Sequence, residues 1–97
     1  MTYTIILNPK VTKLDIPSLS NSVWQEVRKA INKKLLTNPV AFSKPLANKL
    51  RTYRSLRVGD YRVVFFIDML EIDVGVITII AIDHRNKIYD ITLERLH

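Results

Sequence analysis

An α+β fold with an antiparallel sheet is predicted by the order of three kinds of segment along the chain. A short alternating run comes first, two stretches of helical spacing follow, and strand-forming runs with short connections fill the second half. The 97 residues suit one domain covering 1–97, because a single core serves on the order of 100–150 residues. With 47% of residues hydrophobic, the chain has enough apolar surface to build that core, which excludes wholesale disorder.

Tyr3 to Leu7 reads as a strand with Tyr3, Ile5 and Leu7 on one face. Asn8-Pro9 then has helix-opening chemistry, and a short helix carrying Val11 and Leu14 is expected to run to about Asp15, where Ile16-Pro17 stops it. Ser22 and Gln25 are spaced as a capping box, followed at helical intervals by Val23, Val27, Ile31 and Leu35. This stripe, with Trp24 at its edge, reads as a core face rather than a ligand box, and Asn38-Pro39 ends the helix. Residues 39–52 lack a sustained period and read as a loop with a helical turn near Leu46-Ala47.

Tyr53 to Val58 and Tyr61 to Ile67 are rich in strand formers and flank Gly59-Asp60, two residues with the glycine first, as a type II′ hairpin turn requires. Val74 to Asp83 has no polar alternation, as expected of a central strand covered on both faces. Asp68 to Asp73 reads as its short acidic connection.

Several function classes drop out on composition. No apolar run approaches the roughly 20 residues of a membrane helix, and no secretory leader is visible, so no membrane partner is expected. The absence of cysteine removes disulfides and thiolate metal sites and suits a cytoplasmic protein. With two histidines far apart, a zinc site would need carboxylate help, and neither a metal nor a cofactor is expected.

Fifteen Lys+Arg against nine Asp+Glu give a net charge of +6, unevenly spread. From Arg28 to Arg62 the basic residues are Arg28, Lys29, Lys33, Lys34, Lys44, Lys49, Arg51, Arg54, Arg57 and Arg62, and the one acid is Asp60. Beyond Val63 acids outnumber bases. A block of one sign predicts a positive surface and a polyanionic partner. For Arg28, Lys29, Lys33 and Lys34 a solvated helix face that aids solubility is an equal reading. The arginines further along favour the polyanion, since a guanidinium fork matches phosphate oxygens in pairs.

If Gly59-Asp60 is the whole loop, Val58 pairs with Tyr61, Arg57 with Arg62 and Leu56 with Val63. Arg57 and Arg62 then lie side by side on one face. Like charges directly opposite cost about 0.2–1 kcal/mol, a cost a fold tolerates most readily when an anion sits between them. The competing reading has both arginines splayed into water or paired with Glu71 or Asp73. A second cluster, Asp83-His84-Arg85-Asn86-Lys87-Ile88-Tyr89, offers an imidazole, a guanidinium and a phenol near a strand end. His84 is its natural proton-transfer candidate.

The run from Lys49-Leu50-Arg51 through Tyr53-Arg54-Ser55-Leu56-Arg57-Val58-Gly59-Asp60-Tyr61-Arg62-Val63-Val64-Phe65 resembles the signature of the RelE/ParE toxin superfamily, and His84-Arg85-Asn86-Lys87-Ile88-Tyr89 resembles its C-terminal element. The resemblance covers essentially the whole chain. It implies a small antiparallel sheet of four to five strands with two N-terminal helices on one face, and the role of toxin in a toxin–antitoxin pair. RelE-type members are metal-independent endoribonucleases that cut mRNA in the ribosomal A site, whereas ParE-type members poison DNA gyrase. Arg57, Arg62, Arg85 and Tyr89 at matching motif positions favour the ribonuclease branch.

On that branch the 2′-hydroxyl attacks the adjacent phosphate and leaves a 2′,3′-cyclic phosphate. Arg57 and Arg62 stabilise the developing charge, Arg85 positions the phosphate or a neighbouring base, Tyr89 stacks or aids proton transfer, and His84 is the general acid. Lys44, Lys49, Arg51 and Arg54 extend the RNA-binding surface. One departure stands out. Some members carry catalytic lysines on the strand before the hairpin, where this chain has Arg54, Ser55 and Arg57. Arginine is a poor general base, which leaves His84, Lys49 or Tyr89 as the base, or a weak catalyst that relies on electrostatics and ribosomal positioning. The implied partners are mRNA on the ribosome and a RelB-like antitoxin, acidic or amphipathic, that covers the basic face or displaces Ile91 to Leu96. A catalytically inactive nucleic-acid-binding module is a further alternative.

Overall fold

The structure, a computed structural model, describes residues 2–96. Its strands are β1 (Thr2–Leu7), β2 (Ser43–Pro45), β3 (Arg54–Val58), β4 (Tyr61–Glu71) and β5 (Val74–His84). Helix α1 winds as a π segment over Val11–Asp15 and continues as an α turn over Ile16–Ser18. Helix α2 reverses that order, with an α segment over Asn21–Ala30 and a π segment over Ile31–Leu35. A 3₁₀ turn covers Asn48–Leu50 and helix α3 covers Ile88–Arg95. Among the described residues no helix is long and apolar enough to cross a membrane.

The sheet has five strands in the order β1-β5-β4-β3-β2 and is mixed: β1 runs parallel to β5, and every other pair is antiparallel. The expected all-antiparallel sheet is corrected at this edge strand. The two helices after β1 carry the chain to the far edge of the sheet, where β2 enters antiparallel to β1. Three successive antiparallel pairings then leave β5 running parallel to β1, which lies beside it. Alternation along the strands divides the interior in two. Leu56, Val63, Phe65, Ile77, Ile79 and Ile82 face α1 and α2 through Val11, Val27, Ile31 and Leu35. Val64, Ile80 and Ala81 face the opposite way, where Ile88 of α3 covers them. The two N-terminal helices therefore share one face, as expected. The expected central strand Val74 to Asp83 lies within β5, between β1 and β4. It is buried on both faces from Ile79 to Ile82, whereas Val74, Val76 and Thr78 are half-buried on one face.

Asn8 opens α1, its Oδ1 accepting the Lys10 N–H at 2.9 Å. The helix does not stop at Ile16-Pro17. The Ile16 N–H donates to Val11 O, and Pro17 falls where the winding changes, so the missing proline N–H meets a ladder already loosened. The cap of α2 is Ser20, not Ser22: Ser20 Oγ accepts from the Val23 N–H at 3.3 Å. The expected loop at 39–52 contains β2, with its 3₁₀ turn two residues beyond the expected position. The expected connection Asp68 to Asp73 is mostly strand, because β4 runs on to Glu71 and only Ile72-Asp73 turn.

Gly59 has φ +60°, and among the described residues Asn48 alone shares a positive φ without being glycine. A positive angle confined to the first turn residue is the II′ pattern expected of Gly59-Asp60. Gly75 is required for a different reason. A Cβ there would lie 2.9 Å from Cε1 of Tyr3 and 3.0 Å from Sδ of Met69, so the Tyr3 ring can cross β5 only over bare backbone.

β1 ends at Leu7, opposite Ile79, while β5 continues to His84. Side chains close the edge this leaves. Asp15 Oδ2 accepts the Ile82 N–H at 2.8 Å, and Arg95 donates to Ile80 O at 3.0 Å. Arg95 also grips Asp15 through both terminal nitrogens, at 2.6 and 2.5 Å.

Candidate nucleic-acid interface

The register of β2 to β5 builds the site. Lys44, Ser55, Val64 and Ala81 form one cross-strand row, and Arg57, Arg62 and Asp83 form the next. Both rows lie on the α3 face, because Val64 and Ala81 do. Arg57 is paired directly with Arg62, and the tight turn holds the two guanidinium groups to the same side. The segment from Ala41 to Leu46 walls this face and encloses, with Ser55, Arg57 and Arg62, a groove of about 390 Å³.

Among the described residues neither Arg57 nor Arg62 has a carboxylate within 4 Å, although Arg85 and Arg95 do. Glu71 lies nine residues further along β4, about 30 Å away at the ordinary rise of a strand, so pairing with that acidic arm is excluded. Arg62 is instead fixed by backbone: Nη1 donates to Gly59 O and Tyr61 O, both at 2.9 Å. Its pKa is depressed below the ordinary arginine value, first by partial burial, then by Arg57 and Arg85, with Asp60 opposing. An anion placed between these cations would relieve both the repulsion and the desolvation of charge.

Arg85 sits at the hairpin tip. Its backbone N–H donates to Asp60 O at 2.8 Å, and its Nε lies 3.9 Å from Asp60 Oδ1, with both side chains well exposed. Such an exposed pair is weak and leaves the guanidinium free to engage a ligand. Tyr89 lies in the first turn of α3, half-buried, beside the buried Ile88.

His84 is not brought to the groove. It pairs with Tyr61 in a row that also holds Val58, on the α1–α2 face, and its ring meets Tyr61 edge-on at 5.7 Å. Nδ1 accepts the Asn86 N–H at 3.2 Å, and His84 lines a cavity with Ser18, Leu19, Tyr61, Asp83 and Lys87 that includes neither Arg57 nor Arg62. The sheet therefore stands between this imidazole and the paired arginines. Arg54 also faces away. Its Nε donates to Ser43 Oγ at 2.7 Å, and its Nη2 to Ser43 O at 3.0 Å and Val40 O at 3.2 Å, which anchors the wall of the groove. Lys49 and Arg51 are exposed around the 3₁₀ turn, outside the groove lining. Lys44 lines the groove.

Phe42, one of the lining residues, escaped the sequence reading. Phe42 is 49% exposed, with Lys34 Nζ at 5.7 Å from its ring centroid. An aromatic residue in a segment without period, close to a one-signed charge block, was the available signal. No group of three or more His, Cys, Asp or Glu suited to a metal ion occurs among the described residues.

The geometry defines a small α+β fold with a basic groove beside a hairpin, and comparison places the chain more narrowly. The family described as ParE toxin of type II toxin-antitoxin system, parDE, matches residues 13–89, and the chain belongs to it. Its structure is similar to that in the toxin–antitoxin complex RelBE2 from Mycobacterium tuberculosis, with 26% identity and a TM-score of 0.76 over 88% of this chain and 100% of that one. A YoeB/ParE toxin from Agrobacterium tumefaciens shares the fold at 11% identity and a TM-score of 0.62, over 84% of this chain and 98% of that one. The conserved protein HP0894 from Helicobacter pylori does so at 19% identity and a TM-score of 0.59, covering 89% and 97%. No curated protein matches the sequence significantly.

Proposed function

We propose that this toxin is a metal-independent endoribonuclease that cleaves mRNA held in the ribosomal A site. The observation that carries the reading is the Arg57–Arg62 pair, two cations on one face of a tight hairpin with no carboxylate between them. Guanidinium groups so placed bind the non-bridging oxygens of a phosphodiester and stabilise the extra negative charge as the 2′-oxygen attacks phosphorus. The P–O5′ bond breaks as the P–O2′ bond forms. The Lys44 ammonium, on the adjacent row, donates the proton that the leaving 5′-oxygen takes up. The titratable groups lining the groove are Lys44, Arg57 and Arg62, all cations, so the 2′-hydroxyl proton departs to water. Catalysis then rests on charge stabilisation and on in-line positioning supplied by the ribosome. Arg85 at the hairpin tip holds a neighbouring phosphate, and Tyr89 contacts the adjoining nucleotide. The partner outside the ribosome is an antitoxin, a reading supported by the RelBE2 complex.

Mapping of cut sites on actively translated messages tests this. The wild-type protein yields discrete 2′,3′-cyclic phosphate ends, and Arg62→Ala yields none. Growth arrest undiminished in both Arg62→Ala and Tyr89→Ala would overturn the reading.

A second reading is favoured by the ParE family match and by the placement of the imidazole on the opposite face of the sheet: an interaction protein that inhibits DNA gyrase. It predicts loss of supercoiling activity and DNA damage signalling while mRNA stays intact.

A further inference from the structure

We propose that Phe42 is a stacking platform for one unpaired nucleobase of the RNA, and so a specificity-determining residue of the groove. The inference rests on the reading of that groove as a phosphodiester site and adds to it the recognition of the flanking base. Three observations meet here. Phe42 is 49% exposed, yet it belongs to a wall that Arg54 immobilises through Val40 O, Ser43 O and Ser43 Oγ. A rigidly presented aromatic has already lost the entropy that a mobile loop would lose on binding. Phe42 lines the same groove as Arg57, Arg62 and Lys44, so an aromatic residue and a set of cations share one cavity. That pairing is the chemistry of single-stranded nucleic acid, in which a flat apolar base follows each phosphate. The volume of about 390 Å³ lies near the lower end of the roughly 300–1,000 Å³ that holds one small ligand, as suits a single nucleotide rather than a duplex.

Stacking is tolerant of base identity, because every base has a π face. Phe42 therefore demands an unpaired base without choosing among the four, and the duplex is rejected because its bases are already stacked. Lys34 Nζ lies over one face of the ring, 5.7 Å from its centroid, which leaves the other face for the base.

The test measures binding of two short uncleavable single strands with 2′-O-methyl riboses, one of uridylates and one with the same phosphates but no bases. The wild-type protein prefers the base-bearing strand by about 10- to 100-fold, the range ordinary stacking supports. Phe42→Ala binds both strands as the wild type binds the baseless one, and Phe42→Trp restores the preference. The exposed position leaves folding intact, which circular dichroism checks. Equal binding of both strands by the wild type, or an undiminished preference in Phe42→Ala, overturns the proposal while leaving the phosphodiester reading in place. Failure of the wild type to bind either strand removes both.

Discussion

Arg95 of α3 meets Asp15 of α1 in a two-pronged ion pair at the sheet edge that β1 leaves uncovered. Their side chains are 9% and 3% exposed, and each also bonds the β5 backbone. The pair links the two faces of the sheet and replaces the ladder that a longer β1 would have formed. Hydrogen bonding to Asp15 raises the Arg95 pKa above the ordinary value. The stability this contributes is fully present below the ordinary arginine range and is lost only as pH rises beyond it.

Asp15→Ala should be among the most destabilising single changes. It leaves Arg95 uncompensated in a nearly buried site and frees the Ile82 N–H, and loss of one partner of such a pair costs about 3–5 kcal/mol. Urea unfolding measures it. Asp15→Ala combined with Arg95→Met should recover part of that loss, because the stranded charge is then gone.

Arg57→Ala should separate stability from function. Removing one of two directly opposed cations should raise stability by about 0.2–1 kcal/mol, while growth arrest disappears. Thermal melts beside a plating assay provide the comparison, and a destabilised Arg57→Ala would contradict the repulsion that depresses Arg62.

His84→Ala should leave mRNA cleavage within a few-fold of the wild type, because the sheet separates this imidazole from the groove. For the same reason His84→Ala should leave the shape of the rate's pH dependence unchanged. Single-turnover rates against pH check it.

RNA affinity should fall with salt at a slope set by two phosphates, one held by Arg57, Arg62 and Lys44 in the groove and its neighbour held by Arg85 at the hairpin tip. At about −0.7 per phosphate neutralised on a single strand, the expected slope is roughly −1.4. Arg85→Ala should lower it by about 0.7 in a titration monitored by fluorescence anisotropy.

Gly59→Ala should cost about 1–2 kcal/mol, the ordinary penalty of a left-handed backbone with a Cβ, since nothing lies within 4 Å of the added atom. Gly75→Ala acts through space instead, driving a methyl toward the Tyr3 ring, and overpacking of this kind costs about 1–3 kcal/mol. Chemical denaturation of both variants tests the distinction: a double change of Gly75→Ala with Tyr3→Ala should relieve the clash.

The hairpin register was legible because a two-residue turn leaves no freedom in the pairing, so the Arg57–Arg62 relation followed from local chemistry alone. The face of His84 was not. It depends on the pairing of β4 with β5, which carries irregularities at Val64/Phe65 and Met69/Glu71, and one residue of slip reverses every side chain. Helix α3 escaped notice because Lys87 makes no side-chain cap and the helix has little apolar asymmetry. The outer arm of β4 looked like a loop because Asp68 to Glu71 are exposed, so nothing selects for apolar alternation there. The parallel placement of β1 is a non-local choice, to which the strand's own residues contribute no signal.

Arg54 holds the groove wall partly through the main-chain carbonyls of Val40 and Ser43. A carbonyl is the same whatever side chain accompanies it. Positions 41 and 42 can therefore drift in evolution without loosening the wall, and a lineage of such proteins can change what the rim of the groove presents while Arg57 and Arg62 stay where they are.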